Sequence, residues 1–270
     1  MFRPGFWMER DMTQDERRLH LIGKLLGERP EYEGLKVPVN EEGQRRLLRA
    51  LFNVRMPSPV DDEFMAIQDE YLKEECKRKG TISLESLEPL ENGLYLWKGD
   101  ITRLRCDAIV NAANSQLLGC FVPCHGCIDN AIHTYAGVQL RLECARLMEL
   151  PGHEEAIGQA KITPAYNLPC RYVIHTVGPI VDGRPTKQDC DLLASCYRSC
   201  LEVAQSNGLC SIAFCCISTG EFHFPNDMAA EIAVETARAF LRDAHSDMKV
   251  VFDVFKDVDY EIYKGLLGRD

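Results

Sequence analysis

The chain has 270 residues, 46% of them hydrophobic, with a formal net charge of -10 and a pI near 5.3. That length and apolar content suit one large core, or one core with a small second domain. The acidic balance argues against a non-specific nucleic-acid binder, which needs a basic footprint, but leaves room for a nucleotide-sized ligand held by backbone amides.

No apolar stretch is long enough to span a bilayer, and the first residues, M-F-R-P-G-F-W-M-E-R-D-M, lack the apolar core of a signal peptide. Thirteen cysteines are many, and the number is odd. Several sit in apolar runs, such as Cys215 and Cys216, where a free thiol behaves as a small hydrophobe. A reduced, cytoplasmic home is expected rather than a disulfide framework.

Residues 1–88 read as a helical extension. Q-D-E-R-R-L-H-L-I-G-K-L-L-G-E-R puts Leu19, Ile22, Leu25 and Leu26 on one helical stripe. A second helix follows Asn40, a candidate N-cap, and a third spans D-E-F-M-A-I-Q-D-E-Y-L-K-E-E-C. No strand is expected in this part. From about residue 92, strands and helices alternate. Strands are expected at Leu94–Trp97, Ala108–Val110, Tyr172–His175, Ser211–Ile217 and Val250–Phe255, with the very apolar Ser211–Ile217 at the centre. Helices are expected at Ile128–Met148, at Asp189–Asn207 closing on Gly208, at Asn226–Ala244 with Asn226 as N-cap, and at Tyr260–Leu267. This alternation predicts an α/β domain over residues 89–270, with a mostly parallel sheet and helices on both faces.

Residues 108–133 carry the chemistry. A strand ends in Asn111 and Asn114, a loop follows with Cys120, Cys124, His125 and Cys127, and a helix opens with Asp129 in its first turn and His133 a turn later. Thiolate and imidazole are the usual ligands of zinc, and C-x4-H-x-C brings three of them within eight residues. Three protein ligands leave a fourth tetrahedral position open, which marks a catalytic rather than a structural ion. Reduced loop thiols beside an incidental histidine are the plainer reading of the same spacing. Cys124 forms C-x-x-C with Cys127, either as a redox pair or as a substitute ligand for Cys120. P-C-H-G-C also matches half of the zinc nucleobase deaminase signature, but the H-x-E half, His153-Glu154-Glu155, follows the cysteines instead of preceding them.

Three further segments end strands. In W-K-G-D-I-T, Asp100 can accept from an exocyclic amine or simply cap a turn. In I-S-T-G-E-F-H-F-P, Ser218, Thr219 and Gly220 can offer successive N–H groups to a diphosphate, and Phe222 and Phe224 can close over a ribose. Phe255 ends the last strand and can stack on a base, or fill core.

Together these segments resemble the macrodomain family, an ADP-ribose-binding three-layer α/β/α module. The matching stretches are G-D-I-T, V-N-A-A-N, I-D-N-A-I-H, H-T-V-G-P, S-T-G-x-x-x-x-P and V-F-x-x-F, in family order over residues 92–267. Where most hydrolytic members carry a glycine-rich loop, this chain has G-C-F-V-P-C-H-G-C-I-D. With the helical extension, that looks like the zinc-dependent macrodomains of microbial pathogens, which hydrolyse protein-linked mono-ADP-ribose and are associated with a sirtuin-type ADP-ribosyltransferase and a lipoyl-carrier protein. The resemblance implies that Asp100 holds the adenine amino group beside Ile101, and that Asn111 and Asn114 face the distal ribose. It implies that Ser218, Thr219, Gly220 and Glu221 give backbone donors to the diphosphate, with Phe222 beside it and Phe255 near adenine. Cys120, His125 and Cys127 would bind Zn2+, and Asp129 takes the position of the acidic catalytic residue, with Asn114 fixing the ribose. A reader module that binds ADP-ribose without cleaving it is the alternative.

Overall fold

The computed structural model describes residues 12–149 and 154–268, so His153 of the deaminase-like motif lies outside the described residues. The chain opens with α1 (Gln14–Gly27), α2 (Glu41–Val54) and α3 (Asp62–Lys79). Each begins at a capped first turn: Thr13 forms a capping box with Glu16, Asn40 accepts from the Gly43 N–H at 2.7 Å, and Asp61 from that of Phe64 at 2.7 Å. The three helices bury Leu21, Ile22, Leu25, Leu48, Leu51, Phe52, Phe64 and Leu72 in a core of their own. The stripe of α1 is rotated by one position from the expected one. Leu19 is 45% exposed, and Arg18 is buried because its guanidinium binds Gln44 Oε1 at 3.0 and 2.9 Å and Asp15 Oδ1 at 2.8 Å.

The extension is not strand-free. β1 (Ile82–Ser83) pairs in parallel with β4 (Leu104–Arg105). The main sheet has seven strands: β2 (Pro89–Glu91), β3 (Leu94–Lys98), β5 (Ala108–Ala112), β6 (Ala160–Pro164), β7 (Tyr172–Thr176), β8 (Ser211–Phe214) and β9 (Lys249–Val254). Their order is β2-β3-β9-β8-β5-β7-β6, with five parallel strands at the centre and an antiparallel strand at each edge. β8 is central and all four of its residues are buried, as a continuous apolar run requires. The edge strands β2 and β6 have no expected counterpart in the sequence. Both are short, contain proline, and alternate weakly, which is tolerable only at an edge.

Helices cover both faces. Adjacent residues of β7 point opposite ways: His175 reaches Cys144 of α5 (Val138–Leu147), and Ile174 points to the other side. That second side is layered by α6 (Lys187–Ser206), α7 (Asn226–Asp243) and α8 (Asp257–Leu267), packed in sequence. α6 ends in a Schellman turn, with Leu209 N–H on Ala204 O and Gly208 N–H on Gln205 O, Gly208 having φ +65°. α7 starts at Asn226 itself, after Pro225. Asn226 is therefore not the cap, and its amide binds Asp259 Oδ1 of α8 instead. All thirteen cysteines are free, and among the described residues no helix is long and apolar enough to cross a membrane.

The helix expected over 128–148 is two, α4 (Ile128–Ala136) and α5, broken at Gly137. Gly137 has φ +95°, which an L side chain rarely adopts, and a Cβ there would press on Gln139 and Gln68. Gln68 of α3 fills the break: its Oε1 accepts the Val138 N–H at 2.9 Å and its Nε2 donates to Gln139 Oε1 at 2.8 Å. Gly137→Ala should therefore lower unfolding stability by about 1–3 kcal/mol in urea titrations, through backbone strain.

Candidate functional site

β3, β9, β8 and β5 are neighbours and parallel, so their C-terminal ends lie along one edge, where an open α/β sheet places its binding crevice. Asp100, just past β3, caps the short turn Ile101–Arg103. Its Oδ1 accepts from Thr102 N at 3.0 Å and Thr102 Oγ1 at 2.6 Å, and Oδ2 lies 3.4 Å from Lys79 Nζ of α3. Ile101 is buried beside it. One lone pair of Oδ2 is still uncommitted, so capping and ligand contact are compatible.

Past β5 the chain enters the cysteine loop. Asn114 turns its amide into that loop, accepting from Gln116 N at 3.0 Å and donating to Gly119 O at 3.1 Å. Cys120, His125 and Cys127 offer ligand atoms all within 4.8 Å of one another, and each is half-buried. Cys120 Sγ lies 3.6 Å from His125 Nδ1. The opposite ring nitrogen of His125 lies 3.6 Å from Glu221 Oε1, across the crevice. Burial pushes the Cys127 thiol up to about 12. The Asn130 N–H opposes this, and the neighbouring Cys120 thiol adds to it. Cys124 stands apart: its thiol donates to Arg46 O of α2, and its own N–H goes to Asn53 Oδ1 at 2.9 Å. It joins neither the trio nor a disulfide.

The residues that shape this loop were not singled out by sequence reasoning. Asn130, fully buried in the first turn of α4, donates to Val122 O at 3.0 Å and Cys120 O at 3.5 Å. Its Oδ1 accepts from Arg49 of α2 at 2.8 and 3.2 Å, and Arg49 also holds His125 O at 2.9 Å. Asn53 ties α2 to α4 through Thr134 Oγ1 at 2.9 Å. The extension thus forms the outer wall of the loop. The only signal in the sequence was a polar residue inside the quoted I-D-N-A-I-H, with nothing to connect it to α2.

Beneath the loop lies a buried polar cluster. Asn111 is fully buried, and its Nδ2 donates to Asp129 Oδ1 at 2.8 Å and meets His175 Nδ1 at 3.2 Å. Nδ1 is then the acceptor of His175, and Nε2–H faces Thr163 Oγ1 at 3.0 Å. Burial pushes Asp129 up to about 6, opposed by the Asn111 hydrogen bond and the Arg141 guanidinium. Burial drives His133 well below its usual range and His175 down to about 4, so both rings are neutral. The 3.5 Å approach of His133 to Asp129 is accordingly not an ion pair. His133, Cys144 and His175 form a second group close enough to hold a metal ion. It is the poorer cradle, because both nitrogens of His175 already carry hydrogen bonds. Glu155 of the deaminase-like motif is occupied elsewhere, paired with Lys161 at 2.9 Å.

The loop after β8 faces the cysteine loop. Ser218 takes φ +64° and turns its backbone where Gly178 passes, and a Cβ at Gly178 would collide with the Ser218 hydroxyl and lie 2.9 Å from Ile217. The N–H groups of Gly220, Glu221 and Phe222 make no hydrogen bond among the described residues, whereas that of Thr219 leans on Cys216 O at 3.5 Å. Phe222 is half-buried, but Phe224 is core and does not reach the crevice. Phe255 is 78% exposed at the end of β9, so it is not core.

This arrangement has relatives. A family model described as Macro domain matches residues 110–233. A Treponema medium protein named protein-ADP-ribose hydrolase is 55% identical over 261 residues, covering 95% of this chain and 100% of the relative. The chain belongs to the macrodomain family. A protein of the same name from Staphylococcus aureus strain MSSA476 is 48% identical over 265 residues, covering 97% of this macrodomain and 99% of the relative. Among solved structures, the Trypanosoma brucei macrodomain in complex with ADP-ribose aligns with a TM-score of 0.64 at 32% identity, covering 81% of this chain and 95% of that one. The Oceanobacillus iheyensis macrodomain with ADP aligns at 0.59 and 40% identity, covering 67% and 93%.

The raised Asp129 pKa has a stability consequence. Between pH 3.8 and about 6 the folded state keeps a proton that the unfolded state has released, so stability falls as pH rises through that window and stays lower above it. Asp129→Asn should raise unfolding stability at pH 7 by on the order of 1–3 kcal/mol, and flatten its pH dependence between pH 4 and 6, in denaturant titrations with chelator present throughout.

Proposed function

We propose that this macrodomain hydrolyses the bond between mono-ADP-ribose and a modified protein, releasing ADP-ribose, with Zn2+ held by Cys120, His125 and Cys127. The observation that carries this reading is the convergence of their three ligand atoms within 4.8 Å at the lip of the crevice. Two ligands of one tetrahedral zinc, sulfur at about 2.3 Å and nitrogen at about 2.0 Å, stand about 3.6 Å apart. Cys120 Sγ and His125 Nδ1 have that separation. The Glu221 carboxylate near the opposite nitrogen of His125 suits the outer partner that a zinc-bound imidazole usually has. Relatives named protein-ADP-ribose hydrolase at 48–55% identity over nearly the whole chain support the activity. An ion bound there would supply Lewis-acid polarisation and would make a water nucleophile available near neutral pH.

The protein groups do the rest. Asp129, largely ionised at pH 7, takes the proton of the attacking water, and the Asn111 amide keeps its Oδ1 oriented. Asn111, with no exposed surface, acts as a positioning residue rather than a ribose contact. Asn114 fixes the turn that faces the distal ribose. The N–H groups of Gly220, Glu221 and Phe222 bind the diphosphate as an anion nest, with the strained turn at Ser218 directing them. At the far end Asp100 accepts from the adenine amine, Ile101 lines the ring and Phe255 stacks on it. An O-linked ester on an acidic side chain suits this site better than an N-linkage, because its leaving group needs less acid assistance.

The test is Cys120→Ala. It should lose the metal in elemental analysis and lower ADP-ribose release from a mono-ADP-ribosylated protein by about 100-fold or more, while calorimetry still records ADP-ribose binding. Full turnover by metal-free protein would falsify the catalytic role of the ion. Arg49→Ala, which frees one wall of the loop, should weaken metal affinity about 10- to 100-fold in chelator competition, as loss of an outer-shell support does.

A further inference from the structure

A row of polar side chains crosses the sheet on the face that carries α4 and α5. Thr163 of β6, His175 of β7 and Asn111 of β5 come from neighbouring strands, and each is at most 1% exposed. Asn111 stands in register with His175, and Thr163 with Val173, two residues before His175 on the same face. The row ends on Asp129 of α4, whose Oδ1 accepts from Asn111 Nδ2 at 2.8 Å. A buried polar row is costly unless each donor meets an acceptor, and one arrangement of its protons achieves that.

Nothing holds Asn111 by its oxygen: Oδ1 is buried with no hydrogen-bond partner. The amide is oriented by the two acceptors that face Nδ2, the Asp129 carboxylate and His175 Nδ1 at 3.2 Å. This requires one tautomer of His175. With the proton on Nδ1, two donors would face each other, and the amide would turn its oxygen toward the imidazole and against the Asp129 carboxylate. The tautomer is set from the other side of the ring. Thr163 Oγ1 lies 3.0 Å from Nε2 and accepts that proton, while its own hydroxyl proton points to Val173 O at 3.5 Å. Cys144 Sγ, 3.8 Å from the same nitrogen, is the competitor. Burial pushes its thiol up to about 12, which leaves it an S–H donor. Without the Thr163 hydroxyl, that S–H becomes the partner of Nε2 and the tautomer reverses.

We propose that Thr163 and His175 are positioning residues for the hydrolysis: the Thr163 hydroxyl fixes the Nε2–H tautomer of His175, the tautomer fixes the Asn111 amide, and the amide fixes the carboxylate of Asp129. The edge strand β6 thus acts on the site across two neighbouring strands. This rests on the hydrolytic reading above, in which Asp129 takes the proton of the attacking water.

The experiment combines proton–nitrogen NMR of the imidazoles with steady-state kinetics of the full chain supplied with Zn2+. In wild type, His175 should be neutral, protonated at Nε2 and bare at Nδ1. Thr163→Val should move the proton to Nδ1 and lower kcat for ADP-ribose release about 10- to 100-fold with KM within about twofold, because the substrate contacts remain and only the base is misaligned. Thr163→Ser, which keeps the hydroxyl, should retain the Nε2–H tautomer and hold kcat within about threefold of wild type. Thermal melting checks folding, and Thr163→Ala makes the same test if the valine variant does not fold. Protonation of wild-type His175 at Nδ1 overturns the inference without any variant. So does an unchanged kcat in the hydroxyl-free variant, a loss of kcat without the change of tautomer, or a loss that Thr163→Ser shares; in each of these cases hydrolysis itself stands. Wild type that releases no ADP-ribose overturns both.

Discussion

One buried amide holds the site in shape. Asn130 grips the cysteine loop by two carbonyls from inside and receives Arg49 from outside. A loop that carries two thiols and an imidazole has no reason of its own to converge them. Its backbone polar groups need partners, and Asn130 and Arg49 provide them at the points that bring Cys120, His125 and Cys127 together. Cys127 adds to this by capping α4, its sulfur taking the Asn130 N–H at 3.4 Å. The loop, the helix start and the extension are therefore one hydrogen-bonded unit.

Below that unit, the parallel sheet sets the positions of the other groups. Strand ends deliver Asp100, Asn111, Ser218 and Phe255 to a single edge, and the order of the strands spaces them along it. Backbone strain is concentrated at the same edge. Leu117, Cys124, Ser218 and His223 have positive φ, four of the six non-glycine residues that do among the described residues. The charge distribution is also divided. Beside β5, Asp129 is buried with an oriented amide next to it, and near the end of β9 the Oδ1 of Asp253 is buried without a partner.

Much of this was legible from residue order. The apolar run of β8 announced its central place, Asn40 its cap and Gly208 its helix stop. The spacing C-x4-H-x-C marked the trio that converges, though it could not decide the fate of Cys124, which depends on α2, some seventy residues away. What escaped has a common cause. Gly137 sits within an unbroken helical pattern, and only its φ reveals the break. Leu19 turned outward because a polar pair, Arg18 and Gln44, occupies the interior that periodicity assigned to a leucine. Asn226 serves α8 rather than its own helix. Asn130, Arg49 and Asp253 take their meaning from partners distant in sequence, or from having none. Periodicity reports neighbours along the chain; these residues are defined by neighbours across it.

The wall that α2 builds has an implication for engineering. Transplanting residues 120–127 into a scaffold without a helix equivalent to α2 would carry the donor atoms but not their spacing, since Arg49 and Asn53 would be left behind. The transferable part is a pair of segments, one bearing the two thiols and the imidazole and one bracing them, and a graft would have to move both.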